Sequence, residues 1–484
     1  MASLLVRVVV LLAVVVAAGL GAMTLLDSGG SPRLAPGSGQ AAGTSDEQVD
    51  PLAYTPARED ELVVAAARGN AHVLYAKSPG GARASAARTA RYRPLVEAAA
   101  KAAKLDPDML EAIVLLESAG RPDAIADPRL DGAVGLTQIL AETGRSLLGM
   151  HVDPAGARRI GRSLARAQAR GDSVLAARLK ARRRRVDERF DPPKALAATA
   201  RYLALAHVAL RRDDLAVVSY HMGIGNLQTA LRAYGGGDDV SYARLYFDST
   251  PTSHPQAWQA IAKLGDDSST YLWRVLAARE IMRLYRSEPA QLDATSALQN
   301  DKNSAEEVLH PESATEAFAT PDALRAAYDA GRIVALPRAL LAGHGIRVDA
   351  RMGELAGRLK RSRATYRGLR PEALALLVVL GAGTKEISGQ EPLVVTSTVR
   401  DQRYQDLLLA AGNGEATRNF SLHTTGWAFD ILRSYRSRAQ ALAFEFLLGR
   451  LQSEDLIAWV REPAAIHVTV SAQAKALLGV LHAG

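Results

Sequence analysis

The sequence predicts a multidomain chain. A mainly α-helical domain is followed by an α+β domain with a small antiparallel sheet, and an N-terminal single-span helix precedes both. Three observations carry this reading. The chain has 484 residues, more than one ordinary core accommodates. An Ala/Leu/Arg-rich pattern of helical period runs from about Glu59 to Tyr285. Beyond it, strand-like runs such as "PLVVTSTV" and "IHVTV" are mixed with helical ones such as "PEALALLVVL".

The elements follow in order. Residues 1–26 contain Arg7 and then an uncharged apolar run, Val8 to Leu26, close to the roughly 20 residues that span a bilayer as a helix. The positive charge before the run orients the remainder of the chain outside the cytoplasm. The segment is therefore expected to anchor the protein in the cytoplasmic membrane, facing the periplasm or exterior. Cleavage near "AAGLGA" would instead make it a signal segment and the protein secreted. Residues 27–58, rich in Gly, Ser and Pro, read as a flexible linker. Residues 59–285 form the helical domain. Residues 286–308, polar and without helical period, read as a second linker, and 309–484 as the α+β domain.

Composition bounds the chemistry. The net charge of +8 suits an anionic partner, either a membrane surface or an anionic cell-wall polymer. Nucleic acid is disfavoured, since no basic motif with interleaved aromatics is present. The absence of cysteine excludes disulfides, thiolate-bound metals and a cysteine nucleophile. The densest basic stretch, "ARLKARRRRVDERF" at 177–190, reads either as a solvated helix face or as a contact for wall polymer or lipid headgroups.

The first candidate for chemistry is Glu117. In "LDPDMLEAIVLLESAGRP", Asp106 is a good N-cap, Pro107 fits the first helical position, and Gly120 and Pro122 stop the helix. Leu110, Ile113 and Val114 share the face of Glu117, so its carboxylate ends an apolar stripe. Partial burial there raises the pKa of a carboxyl, as a general acid requires. The bland alternative is a frayed end with Glu117 in water. Downstream, "GAVGLTQI" places Gly132 and Gly135 where backbone can approach a ligand, with the Gln138 amide beside them. "SYHMGIGN" presents Tyr220 ahead of Gly223 and Gly225.

Together "ESAGRPDA", "GAVGLTQI", "DPPKALAATARYLALA" and "SYHMGIGN" resemble the ordered motifs of soluble-type lytic transglycosylases, the goose-lysozyme-like enzymes of glycoside hydrolase family 23. The resemblance spans about Arg91 to Tyr246. It implies a lysozyme-like fold acting on peptidoglycan glycan strands without a cofactor. Glu117 would be the single acid/base, cleaving between N-acetylmuramic acid and N-acetylglucosamine and leaving anhydromuramyl ends. Ser118, Gln138 and Tyr220 would line the sugar cleft. His221 and Met222 depart from the family's Asn-Ala; His221 reads as a structural histidine or a substrate contact.

The second candidate lies in "SLHTTGWAFDI" and "AIHVTV". Strand alternation puts Asp430 opposite the apolar stripe of Trp427, Phe429 and Ile431, and His467 opposite Ile466, Val468 and Val470. With His423 one turn upstream, two His and one Asp suit a catalytic zinc with a fourth position for water; a His/Asp hydrogen bond on a polar sheet face is the alternative. These stretches, with "VTSTVRDQRYQDLL", resemble D-alanyl-D-alanine carboxypeptidase-type zinc peptidases, the fold shared with the hedgehog signalling domain. The resemblance implies that His423, Asp430 and His467 hold Zn2+ and that Arg400 neutralises a peptide carboxylate. The family's base is a Glu three residues before the last His, where this chain has Ala464; Glu462 is the nearby candidate base.

The expected function is therefore a peptidoglycan lytic transglycosylase whose C-terminal domain processes or binds stem peptides. The alternatives are a zinc-dependent peptidoglycan peptidase with a glycan-binding N-terminal domain, and a non-catalytic cell-wall scaffold.

Overall fold

Short side chains with acceptor oxygens begin several of the helices. Asp106, Asp153, Asp172, Asp191 and Ser241 each accept a hydrogen bond from a backbone N–H in the first turn, and Pro107, Pro154 and Pro192 sit where a missing N–H costs nothing. The computed structural model describes residues 52–237, 239–412 and 420–482. The apolar run Val8 to Leu26 lies outside them. No helix of the described residues is long and apolar enough to cross a membrane.

The described residues are mostly helical, and among them the sheets lie in the C-terminal region. Helix Pro192–Leu210 packs on helices Arg93–Ala103 and Asp213–Met222, and helix Tyr271–Ser287 lies against Pro107–Ser118 and Glu59–Gly69. Trp273 is fully buried among Tyr242, Tyr246 and Phe247, a rigid aromatic block in a chain otherwise poor in aromatics. Helix Ser173–Val186 carries the basic stretch. Arg183 turns inward, paired with Asp123 and lying 4.1 Å over the Phe190 ring, while Arg182 and Arg185 face solvent.

Residues 286–308, read as a linker, are instead largely helical: Pro289–Asp301 and Glu306–Leu309. Leu292 and Gln299, seven residues apart, are buried on one face, and His72 Nδ1 meets Gln299 Oε1 at 3.0 Å. One leucine, an amide and small residues supply this buried face, which is why no apolar period was visible.

The C-terminal sheet has the order β2-β4-β5-β7-β6, with β2 at Ile346–Val348, β4 at Leu393–Ser397, β5 at Ala428–Leu432, β6 at Ile457–Arg461 and β7 at Ala465–Val470. A separate two-stranded ribbon joins β1 (Val334–Ala335) and β3 (Gly368–Leu369). The large sheet is antiparallel except at one edge, where β2 runs parallel to β4. The long connection between them, which includes helix Pro371–Ser388, makes the crossover a parallel pair needs.

The two halves are in direct contact, and residues 54–484 pack as one unit. Helix Glu59–Gly69 meets helix Arg438–Ser453 so closely that a Cβ on Gly69 would fall 1.8 Å from the Gln452 carbonyl oxygen. Arg450 donates to the carbonyls of Tyr246 and Ser249 at 2.7 and 2.9 Å, and its guanidinium lies over Tyr246, Phe247 and Phe446. Asn70 Nδ2 and Tyr246 Oη both reach Ser453 Oγ. A half-buried arginine with two carbonyl acceptors and three aromatic faces fixes the contact.

Candidate functional site

Glu117 is one residue from the end of helix Pro107–Ser118, and Ala119 turns the chain away in a left-handed conformation (φ 52°). Leu110, Ile113 and Val114 are fully buried beneath it, as the shared face required. The carboxyl opens on a cavity of about 260 Å3, bounded also by Arg121, His221, Asp267, Tyr271 and Arg274. Tyr271 Oη donates to Glu117 Oε1 at 2.7 Å. Burial pushes the Glu117 carboxyl up to about 7; the Tyr271 hydroxyl opposes this by favouring the ionised form, and the charge of Asp267 adds to it. Glu117 thus has the proton affinity of a general acid that also returns as a base near neutrality.

Asp267 is a second carboxyl in the same cavity, 150 residues away in the chain. Burial works to raise it, yet the paired Arg274 holds it below the ordinary carboxylate range. His221 donates or accepts at Ser268 Oγ (2.7 Å), stacks on Tyr271 at 5.1 Å and has Nε2 3.7 Å from Asp267 Oδ1. It is held by protein partners and borders the cavity as well. Neither Tyr271 nor Asp267 was identified from the sequence.

The other predicted cleft residues serve the frame around Glu117. Ser118 Oγ donates to the Leu136 carbonyl at 2.7 Å, tying the helix end to the Gly-rich turn. Gln138 has φ 52°, and its amide donates to the Gly135 carbonyl at 2.8 Å, so it closes its own turn. Gly135 (φ 83°) is a close-approach position, but the approaching group is protein: a Cβ there would lie 2.0 Å from the Arg189 carbonyl oxygen. Tyr220 Oη donates to the Thr137 carbonyl at 2.7 Å, and its ring stacks on Tyr271 with centroids 6.4 Å apart. Tyr220 therefore supports the residue that touches Glu117.

In the C-terminal half, β5 and β7 pair Asp430 directly with His467. His423, in the turn Leu422–Thr425, folds back as expected: its Nε2 is 3.2 Å from Asp430 Oδ1, and His467 Nδ1 is 2.9 Å from the same oxygen. Ligand atoms of these three residues all lie within 4.8 Å of one another. They form one wall of a cavity of about 690 Å3 that Arg400, Glu462 and Ala464 also border. The face is not open, however: Asp430 and His467 are buried, because helix Glu306–Leu309 packs on β6 and β7.

The outward nitrogens of both imidazoles have acceptors. His423 Nδ1 meets the Thr398 carbonyl at 2.9 Å, and His467 Nε2 meets Glu306 Oε2 at 3.1 Å. With those nitrogens turned to protein acceptors, His423 Nε2 and His467 Nδ1 are the ones that face Asp430 Oδ1. Burial works against it, but hydrogen bonds to Asp430 and Glu306 push the His467 imidazole up to about 10. Burial opposes it, but His423 and His467 hold the Asp430 carboxyl well below its ordinary value. Two imidazoles and one carboxylate are a donor set that fits zinc once the ion displaces the proton shared by His467 Nδ1 and Asp430. Arg400 borders this site with its guanidinium bonded to Ser397 Oγ and Gln405 Oε1 and 3.5 Å from Asp430 Oδ2. Glu462 lies in the β6–β7 turn, where its N–H donates to the Ala465 carbonyl.

Comparison with curated proteins returned no match. Residues 94–159, which include Glu117, Ser118 and Gln138, match the family described as Transglycosylase SLT domain, and that match supports an enzyme of lytic transglycosylase type acting on peptidoglycan.

Proposed function

We propose that Glu117 is the acid/base of a lytic transglycosylase reaction that cuts between N-acetylmuramic acid and N-acetylglucosamine. The observation that carries this is the Glu117 carboxyl, raised to about 7 and hydrogen-bonded by Tyr271 in a cavity beside the SLT motifs. Protonated Glu117 gives its proton to the glycosidic oxygen as the bond to the muramyl C1 breaks. The resulting carboxylate takes the proton of the same sugar's C6 hydroxyl as that oxygen bonds to C1. Atoms balance without water, and Glu117 ends protonated for the next cycle. Tyr271 positions the carboxyl, and Tyr220 and His221 hold Tyr271 by stacking.

A second reading rests on Asp267. An ionised carboxylate opposite a protonated one is the arrangement of inverting glycosidases, in which the second carboxylate activates water. Arg274 and His221 already occupy Asp267, which favours the anhydro-forming route.

For the C-terminal half we propose zinc bound by His423, Asp430 and His467, in a site that binds or processes stem peptides. A bound zinc ion supplies Lewis acidity toward a carbonyl or water. Arg400 contributes positive charge at the cavity wall for a peptide carboxylate. Ala464 leaves no carboxylate at the usual base position, and Glu462 is the nearest replacement. The expected setting remains the cell envelope, by membrane anchorage or secretion.

Digestion of purified peptidoglycan sacculi by the parent and by Glu117→Gln, with fragments read by mass spectrometry, tests the first proposal. Anhydro-ended muropeptides from the parent alone are expected; equal release by Glu117→Gln would refute it.

A further inference from the structure

Glu306 was expected in a linker, yet it is buried against the sheet face that carries the His/Asp cluster. Its Oε2 accepts from His467 Nε2 and from Thr469 Oγ1, each at 3.1 Å, and its Oε1 lies 3.0 Å from Lys302 Nζ. Lys302 is itself fixed, donating to the Phe420 carbonyl at 2.9 Å and pairing with Glu307 at 2.6 Å. A neutral imidazole carries one proton on one of its two nitrogens. With only Thr469 behind it, His467 Nε2 could either donate or accept, because a hydroxyl does both. A carboxylate that already takes donors from Lys302 and Thr469 can only accept. It therefore keeps a proton on Nε2, which leaves Nδ1, 2.9 Å from Asp430 Oδ1, as the nitrogen an arriving ion would take.

We propose that Glu306 is a positioning residue of the candidate metal centre, holding His467 from behind so that Nδ1 faces the ion. This rests on the reading that His423, Asp430 and His467 bind zinc. It places a determinant of metal affinity outside the sheet and its resembled motifs, in the segment that joins the two halves of the molecule. Partners behind a metal-bound histidine commonly change metal affinity about 10- to 100-fold when removed.

The test is zinc affinity of the full chain, measured by competition with a chromophoric chelator, for the parent and for Glu306→Ala, Glu306→Gln, Glu307→Ala and His423→Ala. Circular dichroism and the cobalt-substituted absorption spectrum accompany it. The parent is expected to bind one zinc, and His423→Ala to lose it. Glu306→Ala is expected to weaken binding about 10- to 100-fold and to shift the cobalt bands. Glu306→Gln, whose amide oxygen still accepts from Nε2, should recover most of the affinity. Glu307→Ala removes a neighbouring buried carboxylate on the same lysine without touching His467, and should bind within about twofold of the parent. If Glu306→Ala does not fold, the same-length Glu306→Met takes its place. Unchanged affinity in the Ala or Met variant overturns the role of Glu306 while leaving the metal site standing. An equal loss in Glu307→Ala also overturns it, since the effect would then come from the helix. Absence of zinc from the parent overturns the role and the metal reading together.

Discussion

The raised proton affinity of Glu117 is also a statement about stability, and it can be tested without substrate. In the folded chain burial moves the carboxyl from its ordinary 4.5 to about 7. Between those values the folded state binds the proton more tightly than the unfolded chain. Stability is therefore fully present below about pH 4.5 and is lost as pH rises toward 7. A rise of about 2.5 pH units is worth at most about 3.4 kcal/mol at 1.36 kcal/mol per unit. Because Glu117 borders an open cavity, water screens part of this, leaving about 1–3 kcal/mol. Glu117→Gln removes the ionisation and keeps an oxygen for Tyr271. Urea unfolding of both proteins at pH 4.5 and pH 8.5 reads the difference, and any constant offset from the substitution cancels between the two pH values. The Glu117→Gln variant should gain about 1–3 kcal/mol relative to the parent on going to pH 8.5. A gap that does not change with pH, or that moves in favour of the parent, would refute the burial argument and with it the general-acid assignment.

Three further outcomes follow from the same geometry. Tyr271→Phe deletes a bond that favours ionised Glu117, so the carboxyl rises further, and the alkaline limb of the pH–activity profile should move up by roughly one pH unit; a downward shift would contradict the arrangement. Gly135→Ala forces a Cβ against the Arg189 carbonyl at φ 83° and should cost about 2–4 kcal/mol in urea unfolding, so a neutral result would contradict the close approach. Arg450→Ala leaves the Tyr246 and Ser249 carbonyls without their donor between the two halves. It should destabilise the chain by about 2–4 kcal/mol, visible as a lower melting temperature, and an unchanged melt would count against a fixed contact.

The helix that bears Glu117 could be read in detail because its signals are local: Asp106 and Pro107 start it, and its apolar face is set by spacing alone. The same holds for β5 and β7, where alternation placed Asp430 and His467 on one face and the observed register puts them opposite each other. What escaped was supplied by distant chain. Tyr271 and Asp267 reach Glu117 across about 150 residues, and no spacing rule links them. Ser118 and Gln138 are polar residues beside the site, but their partners are backbone carbonyls of the Gly-rich turn, which only the fold reveals. The segment 286–308 misled for a physical reason: its buried positions are Leu292, Gln299, Ser304, Glu306 and Glu307, and buried polar residues leave no hydropathy signal. Glu306 is legible as a site residue only once His467 is seen beside it.

The central claim is that Glu117 drives ring closure by the sugar's own hydroxyl, with no water entering the bond. Digestion of sacculi by the parent in heavy-oxygen water measures this directly. The account predicts anhydromuramyl ends that carry none of the heavy oxygen. Reducing muramyl ends labelled with it would contradict the account and assign Asp267 the task of activating water.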